Sequence, residues 1–251
     1  MKEKERDGNF HKILNGTYTY YQEGRTYSEE AFRVYKELDK DFLIFESETM
    51  TRLHTGELLK LEVEYILNNK YLPEEVILKK TIGKTLVNER FLCNWKDHHL
   101  TYSIVTPEGR KVQKKEMSGL YHISTPTACL SLVCIYSRNM NIYGRTRYVY
   151  AVSQNNWKFE KPIDEEDFYL ELANNDPIPF TLKGKSLSGK QYKMYKHDSA
   201  DCVDENPVVF YASKYYGIPY LVQIGEDIRI EINHLNYDKP VNFDDAGMPI
   251  E

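Results

Sequence analysis

No run of 18 apolar residues occurs in this 251-residue chain, which excludes a transmembrane helix. The N-terminus, MKEKERDGNFHKIL, lacks the apolar core of a signal peptide. The expected compartment is therefore the periplasm or cell envelope if a signal peptide has been removed, and otherwise the cytoplasm. Cysteine is scarce: Cys93, Cys129, Cys134 and Cys202 form no CxxC pair and no disulfide framework. Five positions apart on a helix, Cys129 and Cys134 diverge too far to bridge, so these thiols read as small buried apolar groups. Neither sign of charge dominates. The net charge of −5 is spread along the chain, and the basic run Arg110–Lys115 and the acidic run Asp164–Asp167 read as solvated strand edges or loops. Nucleic acid is not an expected partner.

Tyrosine is what the chain has in quantity, with 21 copies, and aromatic side chains favour strands. A hydrophobic fraction of 41% beside 28% charge describes an ordinary soluble globular protein. Strands are predicted at 16–23, 30–36, 41–50, 57–67, 75–82, 86–94, 100–105 and 111–117. In Glu57–Leu67, Leu59, Leu61, Val63 and Tyr65 alternate with Lys60, Glu62 and Glu64, the pattern of a strand with one face in water. Thr55-Gly56, Asn68-Asn69, Gly83-Lys84 and Pro107-Glu108-Gly109 supply short turns, so the series should be an antiparallel meander. Further strands are predicted at 145–152, 168–172, 180–183, 191–197, 208–213, 219–223 and 227–234.

Between the two series lies the one segment with helical character. Ser124 can cap it and Pro126 suits its first turn. Ala128, Leu132 and Ile135 repeat at helical spacing beside a second apolar stripe of Cys129, Val133 and Tyr136. No charge appears before Arg138, and a helix apolar on most of its girth needs burial on several sides. The expected fold is mainly β: a curved antiparallel sheet, or half-barrel, wrapped around an apolar helix near 124–138. One domain is expected over 16–238, preceded by a polar segment at 1–15 and followed by a Pro- and Gly-containing tail at 239–251.

Several stretches carry a further likeness. They are Ser124-Thr125-Pro126-Thr127-Ala128-Cys129-Leu130-Ser131-Leu132 after a meander, the wall-like strand Pro207-Val208-Val209-Phe210-Tyr211-Ala212-Ser213, and Gly217-Ile218-Pro219-Tyr220 before a last strand at 227–234. Over roughly Gly16 to Leu235 the chain resembles bacterial cell-envelope domains of unknown function whose half-barrel is similar to the LolA and LolB lipoprotein carriers. The resemblance implies a half-barrel closed over an apolar helix, an envelope setting, and no catalytic residues.

Fragments that mimic reactive sites have simpler readings. Gly83-Lys84-Thr85 and Gly184-Lys185-Ser186 copy the end of a phosphate loop, but Leu78 and Pro179 replace the required upstream glycine and strands follow both, so they are hairpin turns. His98 and His99 point to opposite faces if extended and fit a turn with Asp97; His122 reads as a local cap or core-edge group. The loop His197-Asp198-Ser199-Ala200-Asp201-Cys202 holds a base, acids and nucleophiles, yet a triad converges from separate elements, and this one reads as a polar turn. Tyr18, Tyr20, Tyr148, Tyr150, Tyr192 and Tyr195 could stack on bases or sugars, though core packing accounts for most of them. A single helix cannot fill a half-barrel along its length, so an apolar groove should remain for a lipid, acyl chain, apolar peptide or lipidated protein, with no cofactor. Leu61, Val63, Tyr65, Tyr148, Tyr150, Tyr192 and Met194 are its candidate lining; plain core is the competing reading, favoured for most of them. The alternatives are an envelope interaction module without a small ligand and, less favoured, a hydrolase.

Overall fold

A period-2 pattern of inward apolar and outward polar residues builds eight consecutive strands before the chain first leaves the extended backbone. They are β1 (Phe10–Gln22), β2 (Arg25–Glu37), β3 (Phe42–Arg52), β4 (Leu58–Leu67), β5 (Pro73–Ile82), β6 (Thr85–Asn94), β7 (His99–Thr106) and β8 (Gly109–Glu116). The computed structural model describes residues 9–138, 144–174, 176–196, 206–212 and 217–238, with the backbone of 242–243 and 249–250. Each of the eight strands pairs antiparallel with the next. β1 starts six residues earlier than predicted, because Leu14 continues its buried face and a register shift at Ile13 lets that side chain be buried as well.

The second series comprises β9 (Tyr121–Ile123), β10 (Arg145–Val152), β11 (Asp164–Leu172), β12 (Ile178–Leu182), β13 (Lys185–Tyr195), β14 (Val208–Ala212), β15 (Pro219–Ile224) and β16 (Ile228–Tyr237). All of these make one sheet in the order β8-β7-β6-β5-β4-β3-β2-β1-β16-β15-β14-β13-β11-β10-β9, with β12 on β13. The first and last long strands join the halves, Tyr18 facing Ile232 and Tyr20 facing Ile230. β9 lies parallel to β10, and a separate two-residue pair, β17 (Asn242–Phe243) with β18 (Pro249–Ile250), follows. The acidic run 164–167, expected in a loop or at an edge, forms the start of β11. There a single Arg147 nitrogen, Nη2, donates to both carboxylate oxygens of Asp167, at 3.0 and 2.9 Å.

The fold is a large, curved, open antiparallel sheet. No ladder joins its edge strands β8 and β9 among the described residues. Side chains clasp this side instead: Gln113 Oε1 accepts the Ile163 N–H at 2.9 Å, and Tyr121 donates to Glu165 at 2.9 Å. Lys115 approaches the same carboxylate to 3.5 Å.

The apolar segment lies inside this sheet, but it is not an α-helix. It consists of two 3₁₀ turns, Ala128–Leu130 and Val133–Arg138, with Ala128–Leu130 and Leu132–Tyr136 buried. Ser124 is no cap: its N–H bonds to the Ala151 carbonyl, extending the strand pairing. Three features oppose a longer helix. Ser131 and Ser137 bond the carbonyls of Ala128 and Cys134, three residues back (2.5 and 2.7 Å), and so compete with the helical ladder. Thr125, Thr127, Val133 and Ile135 are β-branched and poor helix formers. Contacts from the sheet then decide the backbone. Among the described residues no helix is long and apolar enough to cross a membrane.

Candidate functional site

Two strands carry a charge in the middle of their inward apolar register. β5 presents Val76, Leu78, Lys80 and Ile82, and β6 presents Val87, Glu89, Phe91 and Cys93. Lys80 faces Val87 and Glu89 faces Leu78 across the ladder, so the two charges are diagonal neighbours. Lys80 Nζ lies 2.6 Å from Glu89 Oε2 and donates to the Asn155 carbonyl at 3.0 Å. Glu89 is fully buried; its other oxygen accepts the Tyr102 hydroxyl at 2.6 Å and that of Ser153. Burial and the adjacent Glu89 charge push the Tyr102 hydroxyl pKa well up, so it stays a donor.

Above this cluster sits a cavity of about 490 Å³. Leu59, Leu61, Leu78, Ile82 and Phe91 wall it on the sheet, Val152 and Trp157 close the opposite side, and Ser124–Pro126 border it from the interior segment. The volume falls within the range of about 300–1,000 Å³ usual for small-molecule sites. Asn155 shapes the covering loop. Its amide donates to the Lys161 carbonyl (2.6 Å) and accepts the N–H groups of Glu160 and Lys161 (2.8 and 2.9 Å).

Of the seven candidate lining residues, Leu61 borders this cavity. The other six do not. Val63, Tyr65, Tyr148, Tyr150 and Tyr192 are buried core, and Met194 is half-buried against it. Tyr65 accepts the Ile123 N–H at 3.2 Å, while Tyr148 and Tyr150 flank the buried His122 ring at 5.8 Å each. Burial lowers the His122 pKa to about 3, leaving a neutral ring whose Nε2 is 3.3 Å from Ser137 Oγ. Of the other tyrosines considered for stacking, Tyr18 and Tyr20 are buried, and Tyr195 lies under the Arg145 guanidinium at 4.0 Å.

A further buried carboxylate, Glu30, was not foreseen. Its Oε1 accepts Ser47 Oγ at 2.9 Å and the Cys129 N–H at 3.3 Å; its Oε2 accepts the Ala128 N–H at 2.8 Å and the Tyr20 hydroxyl. It holds the first 3₁₀ turn in place. The signal for these charges was present: a lone Lys or Glu at the inward phase of an alternating strand, as in Ser28-x-Glu30-x-Phe32-x-Val34. Both phosphate-loop mimics are hairpin turns, at Gly83 and Gly184, and Trp95–His98 form a turn in which His98 has φ 53°. The His197–Cys202 loop lies outside the described residues. Among the described residues no group of three His, Cys, Asp or Glu side chains could hold a metal ion.

Solved structures share this architecture. A β-barrel-like protein of the domain of unknown function DUF1849 from Brucella abortus superposes with a TM-score of 0.57 at 7% identity, covering 91% of this chain and 98% of that one. A DUF1089 family protein from Pseudomonas aeruginosa gives a TM-score of 0.51 at 10% identity, over 79% of this chain and 90% of that chain. No family model matches the sequence, and no curated protein does. At such identities the likeness is one of fold.

Proposed function

We propose that this protein is a non-enzymatic carrier or sensor that binds a hydrophobic ligand, an acyl chain or comparable lipid tail, in the cavity between β4–β6 and the loop 152–157. The observation that carries this reading is the composition of that cavity. Leu59, Leu61, Leu78, Ile82, Phe91, Val152 and Trp157 offer nearly continuous apolar wall, and apolar area contributes about 25 cal/mol per Å² removed from water. The charged groups at its floor are committed to one another, since Glu89 already holds Lys80, Tyr102 and Ser153. That arrangement suits a binding site better than one needing a free general base. A cell-envelope setting goes with the same reading.

Native mass spectrometry of gently purified protein, followed by solvent extraction, tests it. A reproducible lipid adduct is expected, and Leu61→Trp or Leu78→Trp, which fill the cavity, should abolish it while the protein stays folded. Bare protein from several hosts, with no uptake of long-chain amphiphiles in vitro, would leave the reading without support.

A further inference from the structure

Lys80 and Glu89 do more than stabilise the cavity floor, because both border the space a ligand would fill. Resting on the binding role proposed above, we infer that the cavity selects an uncharged amphiphile, one bearing an ester, amide or hydroxyl oxygen beside its chain, over a free carboxylic acid of the same length.

An ammonium group has three hydrogens to donate. Among the described residues, Lys80 donates one of them to the Asn155 carbonyl at 3.0 Å, and its ammonium is ion-paired with Glu89 Oε2 at 2.6 Å. A further hydrogen is available to an acceptor in the cavity. The nature of that acceptor follows from charge. Glu89 is fully buried and its carboxylate cancels the Lys80 charge, so an entering group meets a neutral pair rather than a free cation. An ionised carboxylate would give up its water and then feel repulsion from Glu89 against attraction to Lys80, a poor exchange in a partly dry site. A carbonyl or hydroxyl oxygen is much cheaper to desolvate and can still accept a remaining Lys80 hydrogen. Ser124, Thr125, Ser153 and Asn156 add neutral polar groups on the same border, while Leu61, Leu78, Phe91 and Trp157 receive the chain.

The test is competition for the full-length protein between a monoacylglycerol and the free fatty acid of equal chain length, read by displacement of a neutral fluorescent lipid. At alkaline pH the monoacylglycerol should bind about tenfold tighter or more, a difference of about 1.4 kcal/mol. Glu89→Gln leaves Lys80 uncompensated, and the preference should move by at least about tenfold towards the acid. A second measurement needs no variant. As the pH falls to about 5 and below, a rising fraction of the ligand's carboxyl gains a proton, and its affinity should rise towards that of the monoacylglycerol, which itself should not change. Equal or tighter binding of the ionised acid by the unaltered protein overturns the inference, as does a preference that Glu89→Gln or the pH change leaves where it was. If neither amphiphile binds, the cavity reading itself fails.

Discussion

Glu30 and Glu89 both stand at inward strand positions, yet they are held by different means. Glu89 has a cation, whereas Glu30 has, among the described residues, uncharged donors: two backbone N–H groups, a serine and a tyrosine. Glu30→Gln would turn one acceptor into an amide that faces those donors, and Glu30→Ala would strip three of them of their partner, the Ala128 N–H keeping the Tyr20 hydroxyl oxygen at 2.8 Å. Either change should lower unfolding free energy by about 3 kcal/mol in a urea titration, given that each buried group left unsatisfied costs about 1–3 kcal/mol. A loss within error would mean that water reaches the pocket. His122 makes a prediction with a definite sign. Burial lowers its pKa to about 3, so below the unfolded value of about 6.5 the unfolded chain binds a proton that the folded one does not. The stability that follows from keeping the ring neutral is fully present above about pH 6.5 and is lost progressively as the pH falls towards about 3. Its slope should be up to about 1.4 kcal/mol per pH unit. His122→Gln should flatten the stability profile by about one proton across that window, and an unchanged slope would assign the acid sensitivity to other groups.

The interior segment and the sheet fix one another's shape. Gly217, buried at φ 55° just before β15, lies so close to the second 3₁₀ turn that an added Cβ would sit 2.4 Å from Ile135 Cδ1. Gly217→Ala should therefore destabilise the fold by about 1–3 kcal/mol through overpacking, on top of the backbone strain. A crystal structure of the variant should show Ile135 displaced. The thiols report on the same segment. Cys93, Cys129 and Cys134 are buried, and burial pushes the pKa values of Cys93 and Cys134 up to about 12. None of the three should react with iodoacetamide in the native protein, and all should react in denaturant, as peptide mass spectrometry can show. What the sequence disclosed at this scale follows the physics of each element. Alternation in strands such as β4 depends only on local order, so most strands and turns could be read directly. The three residues of β9 are too few to show a period. The apolar stripes at 128–136 announced burial correctly, but the choice between α and 3₁₀ was made by Glu30 and the serine side chains, which no periodicity records. Lys80 and Glu89 carried a legible signal one strand at a time. Their meeting depends on the register set by the Gly83 turn, and the lid over them depends on Asn155, whose bonds lie in an irregular loop.

At the scale of the whole molecule, the sheet is held as a near-barrel by two unlike seams. One is the β1–β16 ladder, a continuous set of backbone bonds between residues more than two hundred positions apart. Its closure should be late and slow, since long-range pairing must overcome loop entropy before it gains contacts. The other seam, between β8 and the β9–β11 side, has no ladder among the described residues and is crossed by the Gln113–Ile163 and Lys115–Glu165 contacts, with Tyr121 bracing Glu165 from β9. These bonds are partly exposed and few, so this is where local opening should begin. Glu165 serves both Tyr121 and Lys115, which makes Glu165→Ala the decisive variant. Backbone amides of β7, β8 and β9 should exchange with solvent several-fold faster, while those of β2–β4, flanked on both sides by ladders, should keep their protection. Because β5 and β6 carry the cavity wall and are separated from the loosened edge strand β8 by only two strands and one, the same variant should release a bound amphiphile faster without altering the wall that contacts it. Uniformly faster exchange across the sheet would instead mean that the two seams open together, and that the site gains no access route from the open side.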